Sequence, residues 1–316
     1  MRQIVSLERF FLIAHILTMI FGLAGLLIVL PHPELITGLL ESGQTLFQLS
    51  MAGGGVAYII FGTLAVALYA YRTLGLWQWL TFMIPAAVIS LSSELLGTST
   101  GFPFGEYGYL SGLGYKVAGL VPFTIPLSWF YMGFVCYLIA RVAMDKTGKN
   151  ETKVSWLSYS SAIVLGAILL TSWDFALDPA MSRTTYPFWH YGQEGAFFGT
   201  PYQNFFGWTI TGAVFMTVAA LFWQRKPVIL SRQQLRLPLA IYLSNITYSA
   251  VMAIAGAGLW IPVGLSFLLG VVPILLLWRM AGDTASPSGS LQAEESRSQN
   301  KATTKVPVAP AGAMPK

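Results

Sequence analysis

WQWLTFMIPAAVISLSSEL, residues Trp77–Leu95, is the stretch on which the fold turns. No charged residue intervenes between Arg72 and Glu94. An uncharged run of this kind is long enough to cross a hydrocarbon core, which takes about 20 mostly apolar residues. Its single acid arrives only at the C-terminal end. The stretch therefore reads as a membrane-crossing helix that carries a carboxyl group to one edge of the bilayer.

Working outward, similar runs lie at about 10–30, 50–71, 120–142, 155–176, 204–223, 237–257 and 260–280, so the chain offers eight. The last two are divided only by Gly256-Ala257-Gly258, which leaves seven crossings as the alternative. Composition agrees: 55% of the 316 residues are apolar before any of the 31 glycines is counted, and only 10% are charged. A soluble domain usually carries about 25% charged residues, so this chain lacks the polar surface such a domain needs. The expected fold is an all-α integral membrane protein, a bundle of about eight transmembrane helices with two long outward loops.

Lysine and arginine collect in cytoplasmic loops of membrane proteins. With the N-terminus inside and eight crossings, 16 of the 18 basic residues fall on the inside, and only Lys116 and Arg183 fall outside. Both termini are thus expected in the cytoplasm. The same distribution accounts for the net charge of +5 without any nucleic-acid partner. Residues 1–281 read as the transmembrane helical domain. Residues 282–316, rich in Ser, Ala, Pro, Gln and Lys, read as a disordered cytoplasmic tail. The one cysteine, Cys136, excludes an internal disulfide, and three scattered histidines assemble no Cys/His metal cluster. No metal and no cofactor is expected.

Most acids sit in loops or the tail, where solvent explains them. Glu94, Asp174 and Asp178 do not: they interrupt apolar helices, where an acid costs about 2.5–3.5 kcal/mol on insertion scales and usually faces a protein interior or a wet cavity. In the eight-crossing topology all three lie near outward, C-terminal helix ends. Asp174 and Asp178, four residues apart, share a helical face, and Asp178-Pro179 is expected to end the helix. Neighbouring carboxyl groups, partial burial and the negative end of a helix dipole all favour a neutral carboxyl, so at least one acid is expected to keep its proton. Each is followed by an unusual loop. Residues 94–115 and 171–208 pass through Gly, Pro and aromatic residues with a second acid each, Glu106 and Glu194, before the next helix. Two such loops are expected to meet over one outward pocket, a loose duplication in form. His190 reads as a proton relay or as an ordinary interfacial histidine. Trp129, Trp173, Trp189 and Trp208 fit an interfacial aromatic belt or a pocket wall. Trp129, about 14 Å into its expected span, suits the wall better.

At these loops the chain resembles the membrane carotenoid 1,2-hydratases, the family of gamma-carotene and bisanhydrobacterioruberin hydratases. The resemblance is carried by Glu94-Leu95-Leu96-Gly97-Thr98-Ser99-Thr100-Gly101-Phe102-Pro103-Phe104-Gly105-Glu106-Tyr107 and by Val121-Pro122 with Ile125-Pro126-Leu127-Ser128-Trp129-Phe130. Trp173-Asp174, Leu177-Asp178-Pro179 and Phe198-Gly199-Thr200-Pro201-Tyr202-Gln203-Asn204-Phe205-Phe206-Gly207-Trp208 complete it. It implies addition of water across the C1–C2 double bond of an acyclic carotenoid end, giving a tertiary 1-hydroxyl group. In a cyanobacterial setting it further implies gamma-carotene, lycopene or a related substrate on a route to myxol-type glycosides, in a cytoplasmic or thylakoid membrane and beside other carotenoid enzymes. No catalytic residues come with the resemblance.

The residues themselves suggest how such a reaction would run. An isolated alkene is a poor base, so its hydration needs a positioned acid, for which Glu94 or Asp174 is the candidate. Asp178 is the candidate to orient water and take its proton. Trp129, Trp173 and Tyr107 are candidate walls for the tertiary cation, to which aromatic faces contribute up to about 2 kcal/mol. Glu106, Glu194, Asn204 and His190 complete the expected substrate-binding set. Carotenoid cyclisation, carotenoid binding and proton-coupled transport are the competing readings.

Overall fold

The computed structural model of the chain describes residues 2–32, 34–145, 156–223 and 228–282. All of the expected tail beyond Gly282 lies outside the described residues. Helices α1 (Arg2–Ala24), α2 (Glu34–Thr37), α3 (Glu41–Leu74), α4 (Leu76–Thr100), α5 (Thr124–Asp145), α6 (Trp156–Arg183), α7 (Tyr202–Trp223), α8 (Arg236–Val251), α9 (Trp260–Ser266) and α10 (Val272–Met280) follow in chain order. Short π-helical turns extend α1 over Gly25–Val29 and α8 over Met252–Gly256, and join α9 to α10 over Phe267–Val271. The described residues hold eight segments long and apolar enough to cross a membrane, from Arg2–Val29 to Trp260–Met280. The final pair is divided at Gly258, whose φ of +69° suits glycine, so the seven-crossing alternative falls.

Helix α5 is the axis of the bundle. Its apolar residues run round the whole circumference, and nearly all of them are buried, the pattern of a helix surrounded by others. It touches α3, α4, α6, α7, α8 and α10. Close approach to α6 depends on Gly166, where an added Cβ would lie 3.1 Å from the Tyr137 Cα. Helix α1 is peripheral: it packs mainly on α3 and leaves Phe10, Ile13, Leu17 and Phe21 exposed, as expected of a lipid-facing helix.

Three expectations need correction. Helix α3 begins at Glu41, well before the expected start near residue 50. Helix α6 continues through Pro179 to Arg183 and does not end at Asp178. Proline fixes a helical φ and removes one N–H, so inside a packed membrane helix it forfeits one intrahelical bond without stopping the helix. Burial of Leu177, Ala180 and Met181 outweighs that loss. Finally, Val121–Pro122 forms a short strand, so α5 starts at Thr124 and Trp129 lies only about 8 Å along it.

Helices α4 and α6 both end where the two long loops begin. Those loops pair. Strand β1 (Tyr107–Tyr109) joins β4 (Trp189–Tyr191) in antiparallel register, with Tyr107 opposite Tyr191, Gly108 opposite His190 and Tyr109 opposite Trp189. A second ribbon, β2 (Lys116–Val117) with β3 (Val121–Pro122), leads into α5. The β1–β4 ribbon therefore lies across the end of the bundle, over the ends of α4 and α6.

Candidate active site

Side chains alternate across a strand, so Tyr107, Tyr109, Trp189 and Tyr191 share the ribbon face that points into the bundle. Beneath them stand the acids. The Glu94 Oε2 accepts hydrogen bonds from the hydroxyls of Tyr107 and, at 2.8 Å, Tyr109. Its Oε1 accepts from the Trp129 indole N–H at 2.9 Å. The Asp178 Oδ1 accepts from the Trp189 indole N–H at 2.6 Å. Its Oδ2 accepts from the Tyr191 hydroxyl at 2.5 Å and the Asn204 amide at 3.2 Å. Each acid is thus gripped chiefly by the loop that follows its own helix, and the two grips are joined through the ribbon.

Asp174 sits one turn below Asp178, fully buried. Its Oδ2 accepts from the same Asn204 amide at 2.7 Å, while its Oδ1 has no hydrogen-bond partner among the described residues. The three acids and Asn204 therefore form one cluster. Burial, followed by the charge of the carboxyl each one faces, pushes the hydroxyls of Tyr107, Tyr109 and Tyr191 well above the ordinary tyrosine range, so they stay donors.

Glu94, Asp178 and Asn204 line a cavity of about 50 Å³ between the ribbon and the helices. On the same measure one water needs about 10–15 Å³, so the cavity takes a few waters or a small chemical group. Its floor is aromatic. Trp129 and Trp208 stack with ring centres 4.1 Å apart, and Trp173 meets Trp208 edge-on at 5.8 Å. Phe104 is wedged between α4 and α7, where an added Cβ would lie 2.7 Å from it at Gly97 and 2.5 Å at Gly207. These glycines make room for the ring that closes the cavity.

Of the residues singled out in the sequence, Glu94, Asp178, Asn204, Trp129, Trp173 and Tyr107 face this cavity. Asp174 does not line it and touches it only through Asn204. His190, Glu106 and Glu194 are not brought to it. His190 is exposed and opposes Gly108 on the outer ribbon face, and Glu106 is exposed at the ribbon edge. Glu194 pairs with Arg183 at 3.1 Å, its side chain 85% exposed. Sequence reasoning missed Tyr109 and Tyr191, and left Trp189 and Trp208 undivided between belt and wall. The available signal was the alternation in Tyr107-Gly108-Tyr109 and Trp189-His190-Tyr191, which places two donors of each triplet on one strand face. Among the described residues, no group of three or more His, Cys, Asp or Glu is arranged to hold a metal ion.

Fold and site together define a multi-helix membrane protein with a buried carboxyl cluster, caged by aromatic donors, at one end of its bundle. The chain belongs to the carotenoid biosynthesis protein family, which it matches over residues 54–273 and thus over every cage residue. It is similar to the bisanhydrobacterioruberin hydratase of Haloarcula japonica, with 30% identity over 200 residues. That aligned region covers 62% of this chain and 62% of the archaeal protein. No solved structure matches the chain.

Proposed function

We propose that the protein is a carotenoid hydratase that adds water across the C1–C2 double bond of an acyclic end group, as in lycopene or gamma-carotene, to give a tertiary 1-hydroxyl. The observation that carries this reading is the meeting of Glu94 and Asp178 at one small aromatic cavity, both held by side-chain donors. Hydration of an unactivated alkene asks for an acid, a base and a wall that tolerates a cation.

We assign the roles by donor accounting. Both oxygens of Glu94 are matched by hydroxyl or indole donors, a setting for a carboxylate. Both oxygens of Asp178 are matched as well, and the Asp174 Oδ1 is the one carboxyl oxygen of the three without a donor, so the resting proton is assigned to Asp174, from which Asp178, one turn away, takes it up when substrate enters. Asp178 delivers that proton to C2 and the π electrons form the new C–H bond. C1 is left as a tertiary cation facing Trp129, Trp208 and the Glu94 carboxylate. Water attacks C1, and Glu94 takes the proton that the new C–O bond releases. One water is consumed, and the displaced proton returns to the Asp pair through solvent before the next turnover. Asp174 positions and supplies Asp178 without touching substrate.

The distribution of basic residues supports an orientation with the ribbon end on the non-cytoplasmic side and both termini inside. A membrane-dissolved polyene would then meet water and acid together at that boundary. The experiment is expression in a lycopene-accumulating bacterium followed by mass analysis of the pigments. Hydration adds one water mass per reacted end, and growth in isotopically labelled water marks the new hydroxyl. Cyclised pigment of unchanged mass would establish a cyclase in its place, and unaltered lycopene would reject the reading.

A further inference from the structure

A second cavity, of about 440 Å³, lies beside the acid cage and shares three of its wall residues, Tyr58, Phe188 and Tyr248. It runs along the end of α1 and its π-helical turn, from Thr18 to Val29, opposite Phe47–Tyr58 of α3, and the loop residues Leu110–Gly112 and Thr185–Phe188 roof it. Eleven residue steps along α1 give a trough about 16 Å long. Among the described residues, no acidic or basic side chain lines it. Its helix hydroxyls are already spent, since Thr18 donates to the Ala14 carbonyl at 2.7 Å and Ser50 to the Phe47 carbonyl at 2.8 Å. Phe21, 58% exposed, stands at the rim, on the flank that α1 presents outward.

We propose that this trough holds the polyene chain of the substrate, and that Tyr58, Phe188 and Tyr248 form the collar through which its terminal isoprene unit reaches Glu94 and Asp178. The inference rests on the hydratase reading for the identity of the occupant. Size requires some such division, because a cavity of about 50 Å³ admits an end group and water but no conjugated chain. The neighbouring cavity falls in the usual range for a ligand site, about 300–1,000 Å³, and its lining offers a long hydrocarbon contact free of charged side chains among the described residues. Tyr58 and Tyr248 face each other with ring centres 5.5 Å apart, a contact that would have to yield or tilt as the chain passes. Collar and trough would thus select a linear end group over a cyclised one, whose ring is broader than a linear chain.

Glycines make the test clean. Gly25 and Gly54 line the trough, and an added Cβ at either would meet nothing within 4 Å. Leucine there fills the space while improving helix propensity. Gly264, exposed on α9 with nothing within 4 Å, takes the same substitution away from the trough. The wild type, Gly25→Leu, Gly54→Leu and Gly264→Leu are purified from lycopene-accumulating cells, and the lycopene retained per protein is read from its visible absorbance. Retention is expected to fall about tenfold or more in the two trough variants and to stay unchanged in Gly264→Leu. Gly54→Ala and Gly54→Val grade the filling, so the result stands even where leucine lowers membrane accumulation. Equal retention across the trough series overturns the proposal, as does a wild type that holds no more lycopene than an unrelated membrane protein. Product mass is scored separately. Lycopene retained in a trough-dependent way but never hydrated would reject the hydratase reading and keep the trough, and hydration indifferent to the trough variants would do the reverse.

Discussion

Glu94→Gln separates the chemistry of the cage from its architecture. Glutamine keeps the volume of glutamate and one acceptor oxygen but replaces the other oxygen with a donor and removes the charge. Placed against the Trp129 N–H, which can only donate, the new amide would leave a buried donor unmatched at a cost of about 1–3 kcal/mol. Turned the other way, its oxygen keeps the Trp129 bond and its NH2 meets the hydroxyls of Tyr107 and Tyr109, which can rotate to accept. The second arrangement wins, so the expected loss of stability is only about 1 kcal/mol. The proposed reaction has no such escape, because the carboxylate assigned to face the cation and take the proton of water is gone. Removing one preorganised electrostatic group of this kind costs about 10²–10³ in rate. The assay is hydroxylated pigment per unit of protein in the membrane, with a melting curve of the purified variant beside it. A variant that makes product within about threefold of the wild type, where removal of such a group should cost about 10²–10³, would refute the role given to Glu94.

Further substitutions probe the neighbours. Asn204→Leu removes the amide that serves both Asp174 and Asp178, and should cost about 1–3 kcal/mol and most of the product; thermal unfolding and pigment analysis measure the two effects. Gly195→Ala puts a Cβ 2.0 Å from the Thr200 carbonyl carbon in the second loop, so the backbone must move. A lowered melting temperature, by at least about 2 kcal/mol in stability, should accompany loss of activity. Burial pushes the hydroxyls of the cage tyrosines well above the ordinary tyrosine range, so their neutral-state contribution is complete below that range and is lost as pH rises through it toward their folded values. Tyrosinate absorbance of the folded protein should accordingly show these residues still neutral above pH 10.0, and their late ionisation should coincide with unfolding.

The helical bundle was legible because two independent signals coincide, uninterrupted apolar length and the one-sided placement of lysine and arginine. The acids were legible because a carboxyl group inside a membrane helix needs a reason. What eluded the sequence is mostly parity and pairing. Glu106 and His190 have the right chemistry for a site, but each is one step out of phase with the inward-facing residues of its strand. Nothing local fixes that phase until the two loops pair across more than 80 residues. The spacing of Asp174 and Asp178 correctly gave one helical face but not which of the two reaches the cavity, since that depends on Asn204 from α7. Pro179 misled for a different reason: its preference to end a helix is weaker than the packing that holds α6 together beyond it.

The pairing of the loops also explains why the cage needs both. A ribbon of two three-residue strands is too short to be stable alone. Here each strand is tied down by the acid of the helix it follows, Glu94 by Tyr107 and Tyr109, Asp178 by Trp189 and Tyr191. The acids in turn gain enough donors to lie buried only because the strands cross above them. Neither half is complete without the other, since an unmatched carboxylate under a loose loop would draw water into the cavity. Joining the halves at Tyr107–Tyr191 brings two carboxyl groups to one small aromatic space. That is the space in which the proposed hydration would give a proton at one carbon and take one from water at the next.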